Sequence, residues 1–263
     1  MKPIIIRAAC LATLAATVGS VSAAPANMSV EQIIERNIAA RGGLPAWHDA
    51  KTLVMAGDID AGGKPNHALP YILKEKRPHK SRLEIVFKDQ TSTQVFDGAQ
   101  GWKVRPFLNR NEVEAYTPAE TKAATAAEQD LDPPLMDHAA KGTQVKLAGT
   151  DVIEGHPAYK LLLTLKGGTK RNLWIDSGSF LELKMEGEPR KMDGKMHNVA
   201  VYFRDYKSEH GLNVPHTQET SVEGYKQSYK MTITRVAVNE PIDDGLFQKP
   251  QLTAQSAAVA KPK

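Results

Sequence analysis

The sequence has almost no cysteine. Its single thiol, Cys10, lies near the start of the 263-residue chain, in a segment that we expect to be removed on export. Without another cysteine, the remainder can form no disulfide, zinc–thiolate site or iron–sulfur cluster, and it has no cysteine nucleophile. We therefore expect the folded protein to depend on its apolar core alone, and a chain of this length is long enough for that.

The chain also lacks an apolar run at its N-terminus long enough to serve as an anchor. The run from Ala8 to Val18 is shorter than the roughly 20 residues that cross a membrane. It follows Lys2 and Arg7 and precedes Val21-Ser22-Ala23, which is the three-part pattern of a secretory signal. The sequence therefore predicts a signal peptide over residues 1–23, with cleavage after Ala23, and an exported mature protein.

A strong charge of either sign is missing as well. The formal net charge is +4, from 34 Lys+Arg against 30 Asp+Glu, and the predicted signal holds two of those cations and no acidic residue. Its removal leaves +2, so the charge gives no support for nucleic acid as a partner. The densest basic stretch, Lys74 to Arg82, is interleaved with Glu75 and followed by Glu84, which favours a solvated sheet face over an anion-binding patch.

Local signatures of common catalytic and metal sites are absent. The sequence contains no G-x-S-x-G turn, no Gly-rich phosphate loop and no G-x-G-x-x-G, and its eight histidines form no H-x-H, H-x-x-x-H or H-E-x-x-H. Carboxylate pairs such as Asp130 and Asp132 fit turns and helix caps as well as acid–base chemistry. The sequence therefore predicts no enzyme, no cofactor and no metal site, although a hydrolase site assembled from distant strands stays open.

What the sequence does contain is periodicity. Apolar residues recur at helical spacing from Val30 to Ile38, Ser29 stands three residues before Gln32 as in a capping box, and Gly42-Gly43 supplies a stop. This pattern predicts one amphipathic helix near the N-terminus.

From Lys51 onward the period changes from 3.6 to 2. Alternating runs end in turn signals such as Asp97-Gly98 and Gly167-Gly168, and we count about eleven strands with no helix between most of them. This predicts a mainly β protein with few helices and an antiparallel, barrel-sized sheet. No linker interrupts Lys51 to Pro250, so we expect one domain over residues 24–250, followed by a disordered tail at 251–263.

One segment between the strands has a helical composition. Pro118 to Lys141 is rich in alanine, and Pro133-Pro134 divides it into two short pieces, the second from Leu135 to Ala140. Such an insertion can cover the mouth of a barrel as a lid, or it can fill a groove on the outside. The residues alone do not decide between these two positions.

Alternation also predicts which residues face the interior. An apolar cavity would suit an acyl chain, since each buried methylene contributes roughly 0.8 kcal/mol, but the same residues would equally make a solid core. The residues predicted to line a lipid-binding cavity are Leu83, Ile85, Phe87, Leu161, Leu163, Val201 and Phe203, with Leu135 and Met136 on the lid.

Several short motifs resemble those of outer-membrane lipoprotein-sorting proteins of the LolA-like superfamily. In chain order they are Ile33 to Gly43, Phe96-Asp97-Gly98 with Gly101-Trp102, Gly155 to Leu161, Leu173 to Asp176, Tyr206 to His216, and Val238 to Phe247 followed by Pro250. Their succession covers most of the predicted mature chain.

The resemblance implies an incomplete antiparallel barrel of about eleven strands with an N-terminal helix, in which residues 118–141 form a helical lid. It also implies a periplasmic carrier that binds the acyl chains of a lipoprotein or lipid. As partners it implies an inner-membrane transporter and an outer-membrane acceptor, and we expect a monomer. The alternative is an envelope sensor or interaction module that reads lipid or mislocalised lipoprotein for a membrane partner. The Pro133-Pro134 break and the alanine-rich tail depart from the dedicated carrier.

Overall fold

The computed structural model of the chain describes residues 28–60, 68–125 and 131–251. The predicted signal peptide at 1–23 and residues 252–263 of the predicted tail lie outside these ranges. The α-helices of the described residues are α1 (Val30–Ala40), α2 (Leu44–Asp49) and α3 (Pro118–Ala124), and two 3-10 turns lie at Pro106–Leu108 and Asp244–Phe247. The strands are β1 (Thr52–Asp60), β2 (Ala68–Lys76), β3 (Lys80–Phe87), β4 (Gln90–Phe96), β5 (Gly101–Arg105), β6 (Arg110–Ala115), β7 (Gln144–Ile153), β8 (His156–Thr164), β9 (Lys170–Asp176), β10 (Glu182–Glu186), β11 (Arg190–Met192), β12 (Lys195–His197), β13 (Val199–Glu209), β14 (Leu212–Val222) and β15 (Ser228–Val238).

Thirteen of the strands form one open antiparallel sheet. Their order is β6-β5-β4-β3-β2-β1-β15-β14-β13-β10-β9-β8-β7, while β11 and β12 form a separate hairpin. The sheet does not close, so the fold is an incomplete barrel, and the predicted fold class is confirmed. The main sheet has thirteen strands where about eleven were expected, and its two shortest, β5 and β10, are only five residues long.

The sheet order determines the path of the segment between β6 and β7. These two strands are the opposite edges of the sheet, yet they are consecutive in the chain. Residues 116–143 must therefore run from one edge of the open sheet to the other. Within this connection, Leu131, Leu135 and Met136 pack against the sheet, which is where a lid would have to lie.

The N-terminal helix begins and ends as the sequence predicts. The Ser29 hydroxyl accepts from the backbone of Gln32 at 3.2 Å, and the Gln32 side chain accepts from the backbone of Ser29 at 3.0 Å. After the helix, Gly42 has a φ of +108°, and a Cβ there would lie 2.1 Å from the carbonyl oxygen of Gly211. Only glycine therefore allows the end of α1 to pack this closely against the turn between β13 and β14.

Strand register defines two faces of the sheet. Directly opposed residues of an antiparallel pair point to the same face, and alternate residues of one strand do so too. Leu161 lies opposite Leu173, which in turn lies opposite Met185, and Met185 lies opposite Val201. We call this side the inner face, because α1 and the 131–136 segment pack against it.

The outer face carries smaller apolar clusters. Val54 and Val95 are covered by Ile242 and Phe247 from the C-terminal part of the described chain. Farther along the sheet, Trp174 is buried on this face, with the Lys184 ammonium 4.6 Å from its ring centroid. None of the described helices is both long enough and apolar enough to cross a membrane.

The second half of the predicted lid differs from expectation. Residues 134–140 form consecutive turns instead of a helix, and Asp137 has a φ of +51°. A residue in this left-handed region cannot continue an α-helix. Among the described residues of the segment, the α-helix is α3.

Candidate functional site

One half of the inner face is filled by the protein's own side chains. Ile33 and Ile34 of α1, together with Leu135, pack against Leu161 and Leu163 of β8. Leu135 and Leu161 are fully buried, and Leu163 is 2% exposed. This half of the inner face is a solid core in the arrangement seen here.

The middle of the inner face is filled by α2 and by the next residues of the same segment. Trp47 of α2 and Met136 belong to one buried cluster with Met55, Leu212 and Ile233. The Trp47 indole nitrogen donates to the carbonyl oxygen of Arg41 at 2.8 Å, which fixes the ring at the end of α1. Leu135 and Met136 are adjacent in sequence and contribute to two different clusters, so the 131–136 segment joins the two parts of the core.

The remaining inner face is apolar but only half-buried. Phe203 lies opposite Gln218, Gln218 opposite Met231, and Met231 opposite Ile59, which places these residues in one row across four strands. We call the following set the half-buried patch: Ile59, Leu69, Ile85, Phe87, Val201, Phe203 and Met231. The Phe87 ring contacts that of Phe107 edge to face, with 6.0 Å between the centroids. The patch is the part of the inner face that an apolar ligand can reach without displacing the core.

All nine residues predicted to line a cavity are found on or against the inner face. Leu83, Ile85, Phe87, Val201 and Phe203 are half-buried, whereas Leu135, Met136, Leu161 and Leu163 are buried in the core. A ligand can therefore contact the first group directly. Of the second group, Leu163 lines a small pocket with Pro134 and Met185, whereas Leu161 stays covered unless Leu135 moves. Their role in lipid binding stays a prediction.

An ion-pair cluster holds the 131–136 segment in place. The Asp132 carboxylate accepts from both terminal nitrogens of Arg77, with Nη1 to Oδ2 at 3.1 Å, and Lys141 Nζ lies 3.3 Å from Oδ2. Arg77 also donates to the carbonyl oxygens of Ala50 at 2.9 Å and Trp47 at 3.0 Å. The Asp132 side chain is only 4% exposed. The guanidinium therefore clamps the segment to α2 and to the end of β2.

The charges of this clamp determine its response to pH. Burial alone would raise the pKa of Asp132, but the hydrogen bonds from Arg77 and the charge of Lys141 lower it below the ordinary value. A carboxyl group with a lowered folded-state pKa adds stability above its unfolded pKa of about 3.9. That contribution is lost as the pH falls through the lower folded-state value. We therefore expect acid to loosen the clamp only well below neutral pH.

Replacing Asp132 by asparagine is expected to loosen the segment at neutral pH. The change keeps the shape but leaves Arg77 and Lys141 without their shared anion, and breaking a buried pair in this way costs about 3 kcal/mol. Asp132→Asn should unfold at a lower urea concentration than the wild type. In its folded state, without urea, it should bind more of an apolar fluorescent dye than the wild type does.

Asp137→Asn is the matched control for this variant. Asp137 lies in the same connection and pairs with His48 at 2.5 Å, but both side chains are substantially exposed, at 34% and 51%. Exposed pairs contribute about 0–1 kcal/mol, so this variant should unfold and bind dye like the wild type. Equal behaviour of Asp132→Asn and Asp137→Asn would show that the Arg77 clamp does not hold the segment.

The helix of the connection lies outside this clamp. None of the residues of α3 is buried, and its N-terminus has a capping box between Thr117 and Glu120. Glu120 also pairs with Lys103 of β5 at 2.5 Å. α3 contributes no buried side chain, so among the described residues of the connection the apolar side chains buried against the inner face are Leu131, Leu135 and Met136.

Sequence reasoning missed two parts of this site. The clamp joins Arg77 to Asp132, which are far apart in sequence, and no local pattern marks such a pair. Strand β2, which carries Leu69 and Tyr71, contains Pro70, and proline within a run argues against a strand. The alternation of β1 and β15 does include Ile59 and Met231, so the inward position of these two patch residues could be predicted from the sequence.

The described residues show no arrangement typical of a metal centre. No group of three or more His, Cys, Asp or Glu side chains within the described ranges is close enough to hold a metal ion. The buried His216 donates from Nδ1 to the carbonyl oxygen of Ile233 at 2.9 Å, and its Nε2 lies 3.0 Å from Glu209. Both contacts join neighbouring strands, as expected of a structural histidine.

Solved structures share this architecture. A LolA superfamily protein from Nitrosomonas europaea is 14% identical, with 84% of this chain and 98% of the other covered and a TM-score of 0.53. A putative outer membrane lipoprotein-sorting protein domain from Vibrio parahaemolyticus is 16% identical, with 84% and 96% covered and a TM-score of 0.55. A DUF1329 family protein from Desulfovibrio piger is 13% identical, with 84% and 97% covered and a TM-score of 0.54. The chain has the LolA-like fold.

This result confirms the fold that the short motifs imply. No protein-family model and no curated protein matches the sequence. The likeness to the proteins with the LolA-like fold therefore rests on strand order and shape at low sequence identity. The likeness establishes the fold around the half-buried patch. The chemistry of the patch depends on this chain's own residues.

Proposed function

We propose that the protein is a periplasmic carrier that binds the acyl chains of a lipoprotein or lipid on its inner face and moves them between the inner and outer membranes. The observation that carries this proposal is the half-buried patch beside a clamped, apolar segment. The solved neighbours support it, because one of them is named as an outer membrane lipoprotein-sorting domain. The predicted signal over residues 1–23 agrees with a place in the envelope.

The 131–136 segment serves as the lid in this mechanism. An acyl chain first contacts the half-buried patch, where each methylene removed from water contributes roughly 0.8 kcal/mol. If the Arg77–Asp132 clamp opens, Leu135 and Met136 leave the core and the chain takes their place against Leu161 and Leu163. The ligand then replaces contacts that the protein already makes with itself, so the net affinity stays modest. A modest affinity suits a carrier that must release its cargo.

The carrier requires a donor and an acceptor. An inner-membrane transporter would load the acyl chains, and an outer-membrane acceptor would remove them, while the protein itself breaks no bond. A monomer suffices, since the half-buried patch and its lid belong to one chain.

The experiment that tests this function compares two neighbouring residues of β3. Ile85 lies on the inner face within the half-buried patch, and Val86 points to the outer face and is 39% exposed. Ile85→Glu places a charge against the bound chain and should reduce acyl-probe affinity more than tenfold, because an unpaired charge is costly to bury. Val86→Glu should bind like the wild type. Both variants should keep the wild-type circular dichroism spectrum.

The measurement is native mass spectrometry of the protein purified from its own periplasm, followed by titration with a fluorescent acyl probe. Stoichiometric acyl lipid on the wild type and on Val86→Glu, but not on Ile85→Glu, is the expected result. A wild-type protein that is always empty and binds no probe contradicts the carrier function. Equal binding by the two variants contradicts the assignment of the site to the inner face.

A further inference from the structure

The hydroxyl of Tyr71 is a polar group on the inner face for which the described residues offer no partner. Tyr71 lies in the middle of β2, opposite Gly57 on one side and Ile85 on the other. The residue is 2% exposed, and its hydroxyl oxygen is fully buried without a hydrogen bond. Gly57 has no side chain and Ile85 has no polar atom, so neither neighbour can satisfy the group.

Other buried tyrosines of the described chain differ from Tyr71. The Tyr159 hydroxyl contacts the sulfur of Met28 at 3.3 Å, and the Tyr206 hydroxyl donates to Glu182 at 3.0 Å. A buried hydroxyl without a partner destabilises the folded state, and phenylalanine would fill the same space without this cost. The Tyr71 hydroxyl therefore needs a reason that lies outside the free protein.

The position of Tyr71 supplies a reason for this unpartnered hydroxyl. Tyr71 alternates with Leu69, a member of the half-buried patch, and it belongs to the same buried cluster as Leu131 and Met136. Tyr71 thus lies beside the half-buried patch and under the lid residues Leu131 and Met136. When these lid residues move, the hydroxyl is exposed to a chain bound along the patch.

The electrostatic environment indicates which polar end fits. Burial, with a further contribution from the charge of Asp58, raises the pKa of Tyr71 to about 12. The phenol therefore stays protonated at neutral pH and can donate a hydrogen bond. The same burial and the same negative charge disfavour a carboxylate beside it, because a second anion there would be desolvated and repelled.

We propose that the Tyr71 hydroxyl donates a hydrogen bond to the neutral ester carbonyl of an acyl chain bound on the half-buried patch. The site thereby distinguishes esterified chains from free fatty acids and from plain hydrocarbon. This inference rests on the proposed acyl-chain binding and adds a specificity-determining residue to it.

The test uses two glycerol lipids that differ only in the carbonyl. 1-Palmitoylglycerol carries the ester, and 1-O-hexadecylglycerol carries an ether in its place. The full-length wild-type protein should bind the ester about fivefold more tightly than the ether, the value of one ordinary hydrogen bond. Tyr71→Phe should bind both lipids equally, with the ether affinity unchanged. Palmitate should bind the wild type more weakly than the ester at neutral pH.

Tyr229→Phe is the control, and stability is the second readout. Tyr229 lies on the same face but is 38% exposed, so water can reach it and its removal should leave the ester preference intact. Tyr71→Phe should resist urea at least as well as the wild type, because it removes an unpartnered hydroxyl. A clear loss of stability would mean that the hydroxyl has a partner in the free protein, and this would overturn the inference.

The binding outcomes separate this inference from the proposed function. Equal affinity of the wild type for ester and ether, or an ester preference that survives Tyr71→Phe, overturns the role of Tyr71 and leaves the carrier function standing. Failure of both lipids to bind the wild type overturns both. Tighter binding of palmitate than of the ester overturns the selection for esterified chains.

Discussion

Leu163→Glu is expected to destabilise the protein strongly at neutral pH. Leu163 is 2% exposed and packs with Leu135 of the lid and with Ile33 and Ile34 of α1. Arg171 lies directly opposite on β9, but it already pairs with Glu188, so the new carboxylate would be buried among apolar side chains and the substitution should cost about 4 kcal/mol. Many domains have only about 5–15 kcal/mol of stability in total. Urea unfolding followed by circular dichroism measures the loss.

Leu162→Glu is the matched control. Leu162 precedes Leu163 on β8, points to the outer face opposite Asn172 and is half-buried. Its substitution should change the free energy of unfolding by less than about 1 kcal/mol, as is usual for positions outside the core. If Leu163→Glu unfolds at the wild-type urea concentration, the lid segment does not cover β8 in solution. The cavity would then extend across the whole inner face.

The contrast between Leu163 and Phe203 shows what alternation can and cannot predict. Both residues follow the same period-2 pattern, and register places both on the inner face. The pattern reports only which way a side chain points, since every second residue faces one side. Whether that side is filled depends on α1 and on Leu135, which come from distant parts of the chain. The face was therefore predictable from sequence, while the division into core and patch was not.

The lid segment also shows what the sequence pattern cannot predict. The composition of residues 118–141 predicts helix, and α3 confirms this for Pro118–Ala124. The second half departs because Asp137 adopts a positive φ and its neighbours form turns, and Asp132 finds its partner Arg77 in the turn between β2 and β3. Helix propensity is a weak preference that tertiary contacts override. A buried ion pair between distant residues leaves no periodic signal at all.

Glu182→Gln is the second substitution with a large expected effect. The Glu182 side chain is 2% exposed and pairs with Arg41 at 3.1 Å, and the Tyr206 hydroxyl donates to the same carboxylate oxygen at 3.0 Å. The Arg41 guanidinium lies 5.3 Å from the ring centroids of both Trp47 and Tyr206. Glutamine would leave this guanidinium buried without an anion, which costs about 3–5 kcal/mol.

A double-mutant cycle separates the ion pair from the packing. Arg41→Met alone should also be strongly destabilising, since it leaves the carboxylate buried without its cation. The double variant Arg41→Met, Glu182→Leu should recover most of the loss, because two apolar side chains need no partner in the same space. The free energies of urea unfolding of the wild type, Arg41→Met, Glu182→Leu and the double variant give the coupling energy. A double variant whose loss equals the sum of the single losses would show that the two charges do not depend on each other.

The double-mutant cycle also helps to identify which part of the structure moves when the inner face opens to a ligand. The Arg41–Glu182 pair ties the end of α1 to β10, and the backbone of Asn213 donates to the carbonyl oxygen of Arg41 at 2.9 Å. The 131–136 segment is held instead by Arg77, whose side chain is 23% exposed and so more accessible to water than Arg41 at 8%. A pair that water can reach is less costly to separate than one that is fully enclosed. Strong coupling at Arg41, together with a smaller loss in Asp132→Asn, would therefore identify α1 as the fixed wall of the site and the 131–136 segment as the part that moves.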